Sequence, residues 1–170
     1  MNTLVNFQRA EPRFDGQFST SGNNEHLLRF EVALGVQLPE QYRQFLVAHN
    51  GACLDPDEVI FPGESEPFTF LEQLFGLHNG ADSLDAVRAN VEGYVPDDAI
   101  AFAEDHGGNL FCLGLRGNYR GRVFFWHHEH SRPGVTRGDW HGMTLLAESF
   151  TIFLAALGGP QPGASVSAEI

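Results

Sequence analysis

The chain has 170 residues, 42% of them apolar, and a formal net charge of −12, which suits one folded domain with a substantial core rather than a disordered segment. Every basic residue is Arg, and the imbalance has one location: residues 55–105 hold thirteen acids against Arg88 alone, while residues 1–54 balance to −1 and residues 106–170 to +1. A surface of that sign repels nucleic-acid phosphates and attracts basic partners. The longest apolar run, Ile152–Leu157, is far short of the roughly 20 residues of a membrane-spanning helix, so neither nucleic acid nor membrane is expected as a partner.

Residues 1–22 read as a polar, irregular extension with Phe7, Phe14 and Phe18 as anchors. They show no basic start followed by an apolar stretch, so the expectation is a cytoplasmic protein without a secretory leader. Cys53 and Cys112 then read as free thiols. Asn23 or Asn24 caps a predicted helix with Leu27, Phe30 and Leu34 on one face and Gly35 as its stop. Pro39 opens a second helix, since its missing N–H costs nothing in a first turn, and Glu40 complements the helix dipole. Tyr42, Phe45, Leu46 and His49 form its inward stripe, and Asn50-Gly51 breaks it.

Val59–Phe61 and Phe68–Leu71 are predicted strands interrupted by Pro56, Pro62, Gly63 and Pro67. A helix capped by Ser83 runs from Leu84 to about Val91, and Gly93 and Pro96 end it. Residues 100–126 read as an antiparallel meander, with strands at Ile100–Ala103, Leu110–Leu115 and Val123–Trp126. The middle strand is apolar on both faces and is therefore expected to be central and covered on both sides. A final helix is expected from about Met143 to Leu157, with Leu146, Phe150, Phe153, Leu154 and Leu157 buried. Gly158-Gly159-Pro160 ends it, and residues 159–170 read as a mobile tail. The fold class is α+β: one domain over 23–158, a mainly antiparallel sheet with two N-terminal helices and a C-terminal helix packed on it.

Chemistry has few footholds. Trp126-His127-His128-Glu129-His130 is the one run with the look of a metal site: on a strand, His128 and His130 share a face, and His141 could be a third ligand. No acidic ligand follows at the spacing such a site wants, so surface or packed histidines are the plainer reading, and neither metal nor cofactor is expected. Gly107-Gly108-Asn109 precedes a strand and has no Lys, which excludes a phosphate-cradling loop. No Gly-x-Ser-x-Gly elbow is present, and Cys112 lies in an apolar strand that disfavours a thiolate. Glu104-Asp105 beside His106 lacks a second fixed group for acid–base work. Trp126 and Trp140 are candidates for the rim of a groove. No catalytic residue is assigned.

Three segments in order carry a family resemblance. Leu34-Gly35-Val36-Gln37-Leu38-Pro39-Glu40-Gln41-Tyr42-Arg43-Gln44-Phe45-Leu46, then Asn50-Gly51, is similar to an "LG..LP..Y..FL...NG" opening. Ile100–Leu113, with Gly107-Gly108-Asn109 and Cys112, is similar to "IA.D..GN..CLDL". Gly121–Glu129 is similar to "G.VYFWDHE", and Ser149-Phe150 with Phe153-Leu154 fits a closing "SF..FL". Together they resemble the SUKH superfamily, the Smi–Knr-like domains of fungal cell-wall regulators and bacterial toxin-immunity proteins, over about residues 25–157. The chain departs from that pattern at His127 and Gly114, where the family often has Asp, and residues 52–98 follow no family pattern.

The resemblance implies an α+β protein-binding module rather than an enzyme. In bacteria such domains typically neutralise a cognate toxin, often a nuclease, whose basic cleft an acidic surface would complement. The expected partner is therefore a basic protein, met through Asp55, Asp57, Glu58, Glu64, Glu66, Asp97, Asp98, Glu104 and Asp105. A regulatory or scaffolding domain of the fungal type is the second reading, and a metal-dependent protein using His128, His130 and His141 the third.

Overall fold

The computed structural model describes residues 13–15, 18–20 and 23–158. Phe7 and the expected tail at 159–170 lie outside them. The first helix, α1 (Asn23–Leu34), buries Leu27 and Phe30, leaves Leu28 and Val32 in water, and ends at Gly35 with φ +69°. Pro39 directly precedes α2 (Glu40–His49), which buries Tyr42 and Leu46. The turn between them is held by Glu31, whose Oε1 accepts from the Leu38 N–H at 2.9 Å and from Arg43 Nε at 2.8 Å.

After α2 the chain makes β2 (Cys53–Asp55), which pairs with β1 (Arg13–Asp15) in a small antiparallel sheet. Phe14 of β1 packs on Phe45 with ring centroids 5.3 Å apart, and Phe18 stacks on His78 at 3.6 Å, so two of the three expected anchors hold the chain to the body. Asn50 is buried and clamps this region. Its Oδ1 accepts from the Leu77 N–H at 2.6 Å, and its Nδ2 donates to the carbonyls of Leu77 and Ser19 at 3.1 and 2.9 Å.

The main sheet has six strands in sequence order, each antiparallel to the next: β3 (Glu58–Val59), β4 (Thr69–Leu74), β5 (Ala99–Asp105), β6 (Leu110–Gly114), β7 (Val123–Trp126) and β8 (Met143–Ala147). Ser83 caps α3 (Leu84–Asn90) by accepting from the Ala86 N–H, and Ser149 caps α4 (Phe150–Ala155) by accepting from the Ile152 N–H. On one face, Phe102 and Phe111 meet Phe153 of α4 at 5.2 and 5.3 Å, and Phe102 meets Tyr42 of α2 at 5.6 Å. On the other, Phe124 meets Trp140 at 4.6 Å, in the 127–142 segment, while α3 packs against β5. All five residues of β6 are buried, as expected of a central strand covered on both sides.

The α+β class, the two N-terminal helices and the meander are as expected, but two assignments change. The expected helix over 143–157 is strand β8 followed by the short α4. Met143–Ala147 pairs with β7 from Trp126↔Met143 to Val123↔Ala147, and sheet completion outweighs the helical spacing of its apolar residues; Leu146 is half-buried on a strand. The strand expected at Val59–Phe61 stops at Val59, because the Ile60 N–H turns away to donate to the Ala156 carbonyl at 2.6 Å.

Candidate protein-binding surface

The nine carboxylates singled out by sequence do not form one patch. At the start of β5, Asp98 is half-buried and locked in place. Its Oδ1 lies 3.3 Å from Arg137 Nε and 3.9 Å from Arg116 Nε, and its Oδ2 accepts from the Gly138 N–H at 2.9 Å. Asp97 beside it is exposed. At the other end of β5, Asp105 is only 3% exposed. Its carboxylate accepts from Thr69 Oγ1 at 3.0 Å, Gly107 N at 2.9 Å, Asn109 N at 2.8 Å and Asn109 Nδ2 at 3.1 Å. Asp105 therefore builds the β5–β6 turn and presents little surface, contrary to its place among the expected contact residues.

Of the remaining acids, Asp55, Glu64 and Glu66 are exposed and Asp57 and Glu58 partly so. Asp57, Glu58, Glu64 and Glu66 follow one another through β3 and the loop into β4, and Asp55 ends β2. Asp57 Oδ2 lies 2.9 Å from His106 Nε2. In the same stretch of chain, Phe68 and Phe70 are each 46% exposed. Phe68 packs edge-on against Phe125 at 5.0 Å, which holds its ring upright on the sheet. Among the described residues, no arginine stands within ion-pair distance of Glu58, Glu64, Glu66 or Glu72.

On the far side of the turn, Glu104 shares its field with Glu72 and Asp82. Burial above all, then the negative charges of Glu72, Asp105 and Asp82, raises its carboxyl above the usual range. Sequence reasoning passed over Glu72, Asp82, Phe68 and Phe70. The period-two pairing of Phe70 and Glu72 on one face of β4 was the available signal.

The histidine-rich run does not make the two-ligand strand face expected of it. The chain leaves β7 at Trp126, and residues 128–130 form a 3-10 turn. The His127 and His130 rings lie against each other at 5.0 Å, and His128 Nδ1 is 2.9 Å from Asn109 Oδ1. His141 is exposed in the following loop, where its N–H donates to Asp139. Among the described residues, no group of three or more His, Cys, Asp or Glu is arranged to hold a metal ion. Cys112 is buried, and burial pushes its thiol well up, away from nucleophilic use. Trp126, on β7, and Trp140 line two different hollows, the first with Leu110 and Phe75 and the second with Arg116, Tyr119 and Arg122.

The two family departures acquire physical reasons. The loop after β6 folds back over Gly114, so that Gly121 N donates to the Gly114 carbonyl and Gly114 N to the Arg122 carbonyl, both at 2.9 Å. Any Cβ at Gly114 would overlap the Tyr119 carbonyl, which excludes an aspartate there. At the other departure, the His127 ring stands edge-on to Phe125 at 4.8 Å.

Among the described residues, no helix is long and apolar enough to cross a membrane. The chain is 29% identical over 158 residues, covering 84% of this chain and 78% of the other, to the SPbeta prophage-derived uncharacterized protein YokK of Bacillus subtilis (strain 168). Residues 22–156, a span from α1 to α4, match the SMI1/KNR4 family (SUKH-1). The chain belongs to that family.

Proposed function

We propose that this protein is a non-enzymatic binding module of the immunity type, which neutralises a basic partner protein through the acidic and aromatic end of its sheet. One observation carries the reading: among the described residues Glu58, Glu64, Glu66 and Glu72 have no arginine in ion-pair reach, and Phe68 and Phe70 of the same stretch of chain are each 46% exposed. Half-exposed aromatic rings set among charges are what protein interfaces use as anchors, while the charges speed encounter and select sign. A toxin with a phosphate-binding cleft, such as a nuclease, offers the complementary field.

The test begins with capture of the partner by the full chain in its source organism, followed by binding kinetics over a salt series. Affinity falls steeply with salt, and E64R/E66R slows association roughly tenfold or more. Co-expression of the chain rescues growth from a toxic partner, and E64R/E66R reduces the rescue. Salt-independent binding, or rescue untouched by the charge reversals, overturns the reading. A captured partner without toxicity favours the regulatory role.

A further inference from the structure

We infer that the cavity beside the β5–β6 turn is the seat for an arginine side chain of that partner. The inference rests on the reading above and deepens it. Three strands place Glu104, Leu110 and Trp126 in a row: Glu104 pairs with Leu110 across β5 and β6, and Leu110 with Trp126 across β6 and β7. Phe75 and Val87 of α3 close the sides, and Asp82 stands at the rim, so that a cavity of about 580 Å³ has apolar walls and two carboxylates. Trp126 is 7% exposed, and its indole Nε1 has no hydrogen-bond partner.

The chemistry of the walls chooses the occupant. Two carboxylates in the lining, with Glu72 nearby, give the cavity a negative field that suits a cation. No third ligand of the kind a metal needs is arranged with them among the described residues. Apolar walls suit a long side chain whose methylene stem is buried while its charged head meets the acids. A guanidinium is weakly hydrated, stacks on aromatic faces and forks onto carboxylates, so arginine fits this lining better than lysine. Two histidines border the site: His78, with Nε2 3.5 Å from Asp82 Oδ1, and His128, tied to Asn109. Gly107 and Gly108 of the β5–β6 turn line the cavity, and His106, 2.9 Å from Asp57, precedes them in the same turn, so a partner that covers the turn reaches both places at once.

The probe is the peptide acetyl-Gly-Arg-Gly-amide, titrated into the full chain while the two indole N–H signals, from Trp126 and Trp140, are followed by NMR. The expected result is a saturable shift of the Trp126 signal at millimolar peptide, with Trp140 unmoved. D82N/E104Q weakens the binding roughly tenfold. The same peptide carrying citrulline, equal in shape but neutral, leaves Trp126 unmoved. No saturable Trp126 shift, an equal response to citrulline, or equal binding of the lysine peptide overturns the assignment. E64R/E66R, which tests the interface as a whole, touches no residue of the cavity. A failed peptide titration with an intact charge-reversal effect therefore rejects the cavity and keeps the interface; the converse separates them the other way.

Discussion

Two ends of one strand use the same residue type in opposite ways. At the start of β5, Asp98 is neutralised by Arg137 and Arg116 and fastens the 138 loop to the sheet. At the other end, Asp105 is spent inside a turn, while Glu58, Glu64, Glu66 and Glu72 of β3, β4 and their loop reach solvent with no arginine at ion-pair distance among the described residues. An acid whose charge is met within the chain, by arginines at Asp98 or by four donated hydrogen bonds at Asp105, is structural, whereas a solvent-facing acid with neither is open to another molecule. The net charge of −12 mixes both kinds, and only the second kind has a bearing on recognition.

The comparison can be broken most sharply by mutation. Gly114→Ala should cost about 3 kcal/mol or more, because its Cβ displaces the Tyr119 backbone and with it the loop that carries Arg116; chemical denaturation measures the loss. Asp105→Ala should cost about 2–4 kcal/mol by stripping four donors of their acceptor, and any association defect it shows should track the loss of folded protein. Asp98→Asn should cost about 1 kcal/mol, partly screened by solvent at the exposed Arg137, and less in high salt. The unpaired end should behave in reverse: E64R/E66R leaves stability within about 0.5 kcal/mol while altering association.

The smallest effect carries a sign. Glu104 has its carboxyl raised in the folded state, so its cost to stability is absent below the ordinary glutamate range and grows as pH rises through the folded value. Glu104→Gln should raise the thermal midpoint by about 1–3 °C at pH 7, and the gain should vanish toward pH 4. A gain that persists in acid would show that packing, not charge, sets the difference.

The fold was legible where local chemistry decides it. Gly35, Pro39 and Asn50-Gly51 mark the limits of two helices, and turn residues mark the meander. Met143–Ala147 was misread because its apolar residues serve a helix or an edge strand equally, and the choice is made by β7, seventeen residues or more away in sequence. His128 and His130 were extrapolated along a strand that ends at Trp126. At the site, sequence located the acidic third of the chain but pooled Asp98 and Asp105, which are held inside the fold, with acids that face solvent. Arg137 reaches Asp98 from a separate segment that no local pattern announces, whereas Asp105 is held mostly within its own turn by Gly107 and Asn109, a local pattern that was overlooked. Phe68 and Phe70 fall on a predicted strand without a burial assignment, and beside the two-residue β3 both stand half in water.

That shortness has a further result. β3 has two residues, and the chain beyond it holds Pro62, Glu64, Glu66 and Pro67, so the outer margin of the sheet offers few free backbone groups and many negative charges. A second copy presenting the same margin would meet like charge with like and find no ladder to extend. The arrangement proposed to receive a basic partner thus disfavours pairing of identical copies on this side, and high salt weakens both effects together.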